Sequence, residues 1–549
     1  MNPRASVTPR LAPRLRAGIV GGLLVLAIAA VIVVVATGTT SGPRPHKVES
    51  IFQDDRLLLY SPPATVARTV GVLRGIGADR LRLTVQWSNI APAPLSAARP
   101  SGFDAANPAA YPARAWDRYD LIVRLAHAAG LGIDFNVTAP GPRWAMGGPA
   151  PNAKAATHYY PSAAEFGQFV QALGQRYSGR YIPAGSTSAL PRVSYWTIWN
   201  EPNQPGWLLP QWSAAEGREE MTAPTIYRSL ANTGYLALKR TGHSSMTDTL
   251  LIGELAPEGS EQAGAGAPIP PMTFLRALYC VNAAYQPLHG PQALALGCPT
   301  NPSAGAFVTD NPGLFDITGF AQHPYSFFVA PSVHLSDRNF VPLADLGRLE
   351  AGLDNIFMTY DPNASLPVYL TEYGYETNPP NPYRGVSPRL QSQYLNEAEY
   401  MAWQDPRVQA LAQFLLVDSA PDTRYRPGSF RYWSTFQTGL VLLDGKPKLS
   451  FNSYRLPIFL PHTSARAGRQ VFVWGMLRVA PNNTRQRAEV QWRPLHGQYR
   501  TISNVSTNNP DGFLATYVAL PGTGALRLTW TSSSGEVFHS RAVGVQVTG

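Results

Sequence analysis

The chain has 549 residues, 44% hydrophobic and only 15% charged, which excludes a solvated disordered chain and leaves material for two or more folded units. Its formal charge of +10 raises nucleic acid as a partner. However, only five of its 45 basic residues are lysine, and the arginines are scattered singly. With no basic stripe and no recognition motif, no nucleic-acid partner is expected.

Residues 1–16 carry Arg4, Arg10, Arg14 and Arg16, and an uncharged run rich in Leu, Ile and Val follows over 17–36. About 20 apolar residues span a bilayer as a helix, whereas a signal-peptide core runs about 7–15. The run therefore predicts a transmembrane anchor, with a cleaved signal sequence ending near Val34-Val35-Ala36 as the alternative. Because the basic flank comes first, either reading leaves the rest of the chain outside, as an extracellular part of a membrane protein or as a secreted one. Residues 37–47 read as a polar linker.

From 48 to about 460, β-like runs alternate with helical ones. The expected strands are Ile51–Gln53, Leu81–Val85, Gly132–Val137, Val193–Trp199, Leu250–Gly253, Asp316–Ala321, Pro367–Thr371 and Ala410–Val417. Helical periodicity marks Trp116–Ala129, Ser162–Tyr177 and Pro388–Trp403, the second with Ser162 and Glu165 as a capping box. Eight strands alternating with helices predict an α/β fold, a (β/α)8 TIM barrel. A doubly wound open sheet is the alternative, but no Gly-rich phosphate loop follows an early strand. The Ala/Gly/Pro-dense segment 258–311 reads as an excursion between strands five and six. It holds the two cysteines, Cys280 and Cys298, a disulfide candidate suited to an exported chain. Two free buried thiols are the plain alternative.

Past Pro461 the pattern changes to short alternating runs: Val471–Trp474, Ala488–Trp492, Phe513–Tyr517 and Leu526–Trp530. Turn-rich stretches separate them, so residues 461–549 predict an all-β sandwich, immunoglobulin-like or carbohydrate-binding. Exposed aromatics in a row would mark the binding module. Trp474, Trp492 and Trp530 fall on strands, where burial is the simpler expectation.

Two strand ends carry the chemistry. The run Tyr195-Trp196-Thr197-Ile198-Trp199-Asn200-Glu201-Pro202-Asn203 is apolar until its polar close, and Pro202 stops the strand. The run Pro367-Val368-Tyr369-Leu370-Thr371-Glu372-Tyr373-Gly374 ends the same way. In a barrel both acids would emerge at the C-terminal face. Trp-Asn-Glu-Pro-Asn followed by a later Thr-Glu-Tyr-Gly resembles glycoside hydrolase clan A, the retaining β-glycosidases, in the manner of the cellulase-like family 5 and the xylosidase-like family 39. The likeness covers about residues 48–460.

The resemblance implies an O-glycosyl hydrolase acting on a poly- or oligosaccharide; no cofactor is expected, and no constellation of His, Cys and carboxylates in the sequence points to a metal. Glu201 corresponds to the acid/base, which must hold a proton at working pH, and Glu372 to the nucleophile. Asn200 would bond the substrate 2-hydroxyl. Arg82, a charge inside an apolar strand and costly there unless paired, would support the nucleophile. In Gln322-His323-Pro324-Tyr325, Tyr325 would donate to Glu372, and His323 would meet the substrate or the acid/base.

The chain also departs from the pattern. Strand eight ends Leu416-Val417-Asp418-Ser419 without the tryptophan platform common in family 5, leaving Trp433 or Phe436 as candidate replacements. The third strand end lacks a family 5 histidine, which makes Asn136 and Trp144 candidate subsite residues. Glu254 reads as a substrate contact or, more simply, a salt bridge. Trp87 and Trp207 read equally as sugar platforms or core. Transglycosylation, a non-catalytic polysaccharide-binding protein and a chiefly structural role are the competing readings.

Overall fold

Eight buried runs form one closed sheet. The computed structural model describes residues 47–549 apart from 216, 217, 261, 302, 363, 483 and 510. The expected basic flank and apolar run within 1–36 lie outside the described residues, as does all but Lys47 of the linker. Among the described residues, no helix is long and apolar enough to cross a membrane.

The barrel strands are β1 (Glu49–Gln53), β2 (Arg80–Gln86), β3 (Gly132–Thr138), β4 (Tyr195–Ile198), β5 (Thr249–Leu255), β6 (Gly319–Gln322), β7 (Val368–Leu370) and β8 (Val408–Phe414). Each pairs in parallel with its neighbours in chain order, and β8 closes on β1. This is the barrel rather than the open sheet. Its strands are buried nearly throughout because helices cover the outer face while side chains fill the inner one.

The helices follow the apolar periodicity to within a residue or two: Asp117–Ala128, Ala163–Arg176 and Pro388–Gln404. Ser162 caps the second by accepting from the Glu165 amide at 3.3 Å. The reciprocal half of the expected capping box is not made; the Glu165 carboxylate pairs instead with Arg99 at 2.9 Å. Between β5 and β6 the excursion folds into the short helices Pro271–Leu278, Gly290–Ala295 and Ala304–Asp310, and Cys280 is bonded to Cys298 within it.

The C-terminal part consists of two sheets. β9 (Ile458–Phe459), β11 (Gln470–Met476) and β14 (Phe513–Ala519) form one. The other contains β10 (Ser464–Arg466), β12 (Gln486–Pro494), β13 (Arg500–Thr507), β15 (Gly524–Thr531), β16 (Val537–His539) and β17 (Val543–Thr548). Apolar side chains of both sheets share one core, including Val473, Leu514, Val490 and Leu526. Gly475 permits the close approach, because a Cβ there would lie 2.2 Å from a Leu528 methyl. Trp474, Trp492 and Trp530 are all buried. The first sheet begins at Ile458, upstream of the composition change at Pro461, because Ile458 and Phe459 pair with Gly475 and Trp474.

These sheets dock against the start of β1 and the later turns of helix Pro388–Gln404. The ring of Trp474 packs against Trp403 and Phe513. Asp511 accepts the Val48 amide at 2.9 Å. Arg478 is buried there, donating to the Tyr454 carbonyl at 2.8 Å and bonding to Glu399 and Ser50. Breaking a buried ion pair on one side strands the other charge, at a cost of about 3–5 kcal/mol. Arg478→Met should therefore lower unfolding stability by roughly that amount, and Arg478→Met with Glu399→Leu should recover most of it. Urea unfolding followed by circular dichroism reads both variants. Equal losses in the two would show that the ion pair is not what the interface rests on.

Candidate active site

The inner strand ends converge on one guanidinium. Arg82 stands in the middle of β2 with no exposed surface, facing the barrel interior. Its Nη1 donates to Glu372 Oε1 at 2.8 Å and also bonds Gln53 at the end of β1. Its Nη2 donates to Asn200 Oδ1 at 2.8 Å and to Glu254 Oε2 at 2.6 Å. Burial alone would lower the Arg82 pKa, but Glu254 and Glu372 outweigh it and the pKa rises. The expected pairing of Arg82 with Glu372 is present, and Glu254 forms the salt bridge that was its simpler reading.

His323 follows β6 and is fully buried. Its Nδ1 lies 3.0 Å from Glu201 Oε1 and 3.7 Å from Glu372 Oε2, while its Nε2 bonds Glu254 Oε2. Burial pulls the imidazole pKa down, yet Glu372, Glu254 and Glu201 together hold it at about 10. Both ring nitrogens face carboxylate oxygens, an arrangement that favours the doubly protonated ring. Burial would likewise push Glu254 towards its neutral form, but Arg82 and His323 overcome this and lower its pKa, keeping it ionised. Tyr325 donates its hydroxyl to Glu372 Oε2 at 3.0 Å. Burial and the nearby Glu372 charge raise its pKa, so it remains a donor.

Glu201, His323 and Glu372 each present one polar atom within 4.8 Å of the others. A cation could bridge that spacing, and in this arrangement His323 Nδ1 is hydrogen-bonded to Glu201.

The backbone turns sharply where the carboxyls emerge. Trp199 and Glu201 have φ of 66° and 38°, and Glu254 has 52°. Gly253, at φ 103°, opens a register shift in the β5–β6 pairing, and a Cβ there would lie 2.5 Å from the Ala321 carbonyl. The Glu201 amide donates to the Glu254 carbonyl at 3.0 Å, locking the two turns together.

The remaining expected residues make the following contacts. Asn136 is wholly buried and donates to the Trp199 carbonyl at 2.9 Å, so it braces the β4 turn from behind. Trp144 joins an aromatic cluster with Trp87 and Phe103 and donates to the Pro92 carbonyl. Trp87 is core, stacked on Phe169. The half-buried Trp207 packs against the core, its carbonyl receiving the Trp199 indole N–H. Trp433 meets Tyr432 edge-on, while Phe436 is exposed and edge-on to Phe414.

One member of the network, Gln53, was not singled out from the sequence. It ends β1, a polar side chain closing an apolar run, as Glu201, Glu254 and Glu372 do. That shared position was the available signal. Beneath them Asp134 accepts from the Thr197 hydroxyl at 2.9 Å, and burial pushes its carboxyl up to about 6.

No family model matches the sequence, and no curated protein matches it. Among solved structures, it is similar to a β-glucosidase from Thermotoga maritima (14% identity, TM-score 0.43, 74% of this chain and 96% of that one). It is also similar to a β-glucosidase from Exiguobacterium marinum (14%, 0.42, 70% and 84%) and to fungal β-1,4-galactanases (13%, 0.39, 74% and 99%). At these values the likeness bears on neither chemistry nor substrate.

A histidine whose folded pKa is raised contributes stability that is fully present below its ordinary pKa of about 6.5 and lost as pH rises through the folded value. The stability gap between the wild type and His323→Gln should therefore be widest below about pH 6.5 and narrow towards pH 10. Thermal unfolding across that range measures it. A gap independent of pH would mean His323 is held neutral.

Proposed function

We propose that this chain is a retaining β-glycosidase in which Glu201 is the general acid/base and Glu372 the nucleophile. The observation that carries the proposal is the close approach of the two carboxyls, with an oxygen of each within 4.8 Å of the other, at the C-terminal end of a closed barrel. Retaining pairs stand about 5–5.5 Å apart, whereas inverting pairs need about 6.5–9.5 Å to admit a water between them. The β configuration rests on the resemblance of the two strand-end motifs to clan A.

Each partner suits its role. Arg82 and Tyr325 donate to the two oxygens of Glu372, which aims the carboxylate. His323 donates to Glu201 Oε1, leaving Oε2 to carry the transferable proton. In the first step, Glu372 attacks the anomeric carbon while Glu201 protonates the departing glycosidic oxygen. A covalent glycosyl-enzyme results. In the second, Glu201 takes a proton from water, the water attacks the same carbon, and the sugar leaves with its configuration retained. A sugar hydroxyl in place of that water gives transglycosylation. Asn200, held by Arg82, is suited to bonding the 2-hydroxyl.

Export is part of the proposal. The basic flank followed by the apolar run 17–36 supports an anchored or secreted enzyme with its barrel outside the membrane, and the Cys280–Cys298 bond suits an oxidising compartment.

On aryl β-glycosides, Glu201→Gln should lose about 10²–10⁴ in turnover. Glu372→Ala should fall to background and, with added azide, yield a glycosyl azide of inverted configuration. Proton NMR of the wild-type product should show the β anomer first. An α product would overturn retention. A wild type that binds β-glycans but turns over neither polymers nor aryl glycosides would make the chain a binding protein.

A further inference from the structure

Arginines that stand apart in the sequence meet at the rim of the barrel. The segments after β7 and β8, residues 371–387 and 415–448, rise from the same strand ends that carry the carboxyl pair. They are fastened to each other: Tyr383 donates to the Gly428 carbonyl at 2.6 Å, Asn381 to the Trp433 carbonyl at 3.3 Å, and the Thr377 amide to the Gln437 carbonyl at 3.2 Å. The β8 segment also leans on the nucleophile's own turn, since a Cβ at Gly374 would lie 3.3 Å from Thr438.

This rim is positively charged. Arg384, Arg424, Arg426 and Arg431 are all exposed on it. Over residues 374–387 and 415–436 the acids are Glu376, Asp418 and Asp422, and each has a partner: Asn381, Lys448 and Arg424 respectively. Arg384, Arg426 and Arg431 make no ion pair among the described residues, although Arg384 acts on Glu376 through space. Two of the guanidiniums are pinned on exposed rings, Arg384 at 5.0 Å over Phe430 and Arg431 at 5.6 Å over Tyr425. Pinning reduces the entropy lost on binding, and a guanidinium presents a donor fork that matches an oxyanion.

We propose that this rim binds the anionic substituents of the substrate, so that the enzyme acts on an acidic β-glycan carrying carboxylate or sulfate groups. The exposed Tyr425 and Phe430 supply apolar faces for the sugar rings between the charges. The inference rests on the glycosidase reading for the chemistry, but the binding it asserts is measured without turnover.

The test uses the full chain carrying Glu201→Gln, in affinity electrophoresis through gels containing a uronate-bearing β-glycan or its carboxyl-reduced form, and a sulfated β-glycan or its desulfated form. Retardation is expected in the acidic member of at least one pair and not in its neutral counterpart, weakening between about 0.05 and 0.3 M salt. Adding Arg384→Ser, Arg426→Ser and Arg431→Ser should weaken it about tenfold, with near-UV circular dichroism confirming the fold. Equal retardation by both members of each pair would overturn the proposal, as would an undiminished effect in the triple variant. Retention on anionic phospholipid vesicles with none on glycans would assign the rim to a membrane instead. Aryl-glycoside turnover by the wild type is read separately. Its absence together with absence of polymer turnover would sink the glycosidase reading, while charge-dependent glycan retention would still support the binding rim.

Discussion

A guanidinium buried on the axis of a barrel imposes its own surroundings. Removing a charge from water costs several kcal/mol unless paired groups replace the solvent, and Arg82 has no exposed surface. Its partners arrive from four other strands or strand ends: Gln53, Asn200, Glu254 and Glu372. None of these contacts is local in sequence; the nearest partner is 29 residues away and the farthest 290. Barrel closure and site assembly are thus one event, because the strands must reach their register before this charge is satisfied.

The same constraint bears on protonation. Arg82 and His323 are the two cations of the cluster, and Glu254 and Glu372 balance them. Glu201 adds a third carboxyl to this group, bonded to His323. Glu254 fixes both cations: Arg82 beside Glu372 and His323 beside Glu201. His323 in turn occupies one oxygen of Glu201. Two carboxyls of identical chemistry thereby meet different neighbours, Arg82 and Tyr325 at Glu372 and His323 at Glu201.

The barrel was legible because parallel strands buried on both faces leave apolar runs, and eight such runs alternate with helical periodicity. Glu201 and Glu372 stood out for the converse reason, as carboxyls closing apolar strands. Glu254 has that same appearance, but its partners lie on β2 and after β6, and no spacing in the sequence reports a contact across the barrel axis. The directions taken by Asn136 and Trp144 were hidden for the same reason: position at a strand end does not tell which way a side chain turns. Asn136 turns inward to brace Trp199, and Trp144 turns into the Trp87 cluster. Of the C-terminal strands of seven residues or more, Arg500–Thr507 was not anticipated. Its outward positions carry Ser, Thr and Asn rather than a clear apolar alternation, and pairing with Gln486–Pro494 holds it in the sheet. The rim arginines read as scattered because only the fastening of two loops brings Arg384 beside the 424–431 group.

The left-handed residues at the strand ends show what the arrangement costs. A non-glycine residue in that region is strained by about 1–3 kcal/mol, and Trp199, Glu201 and Glu254 all lie there within one hydrogen-bonded patch. In a regular strand, successive side chains alternate between the barrel interior and the helices, so carboxyls continuing β4 and β5 would diverge. Reversing φ at these points turns both inward over Arg82 and His323. The strain is offset by contacts made nearby: Trp199 buries its indole against Phe166 and donates to the Trp207 carbonyl, and Glu254 gains its two cations. Stability here is drawn from packing and charge pairing around the site, not from the backbone that presents the carboxyls. A substitution relaxing one of these turns would be expected to spoil the geometry before it unfolds the barrel.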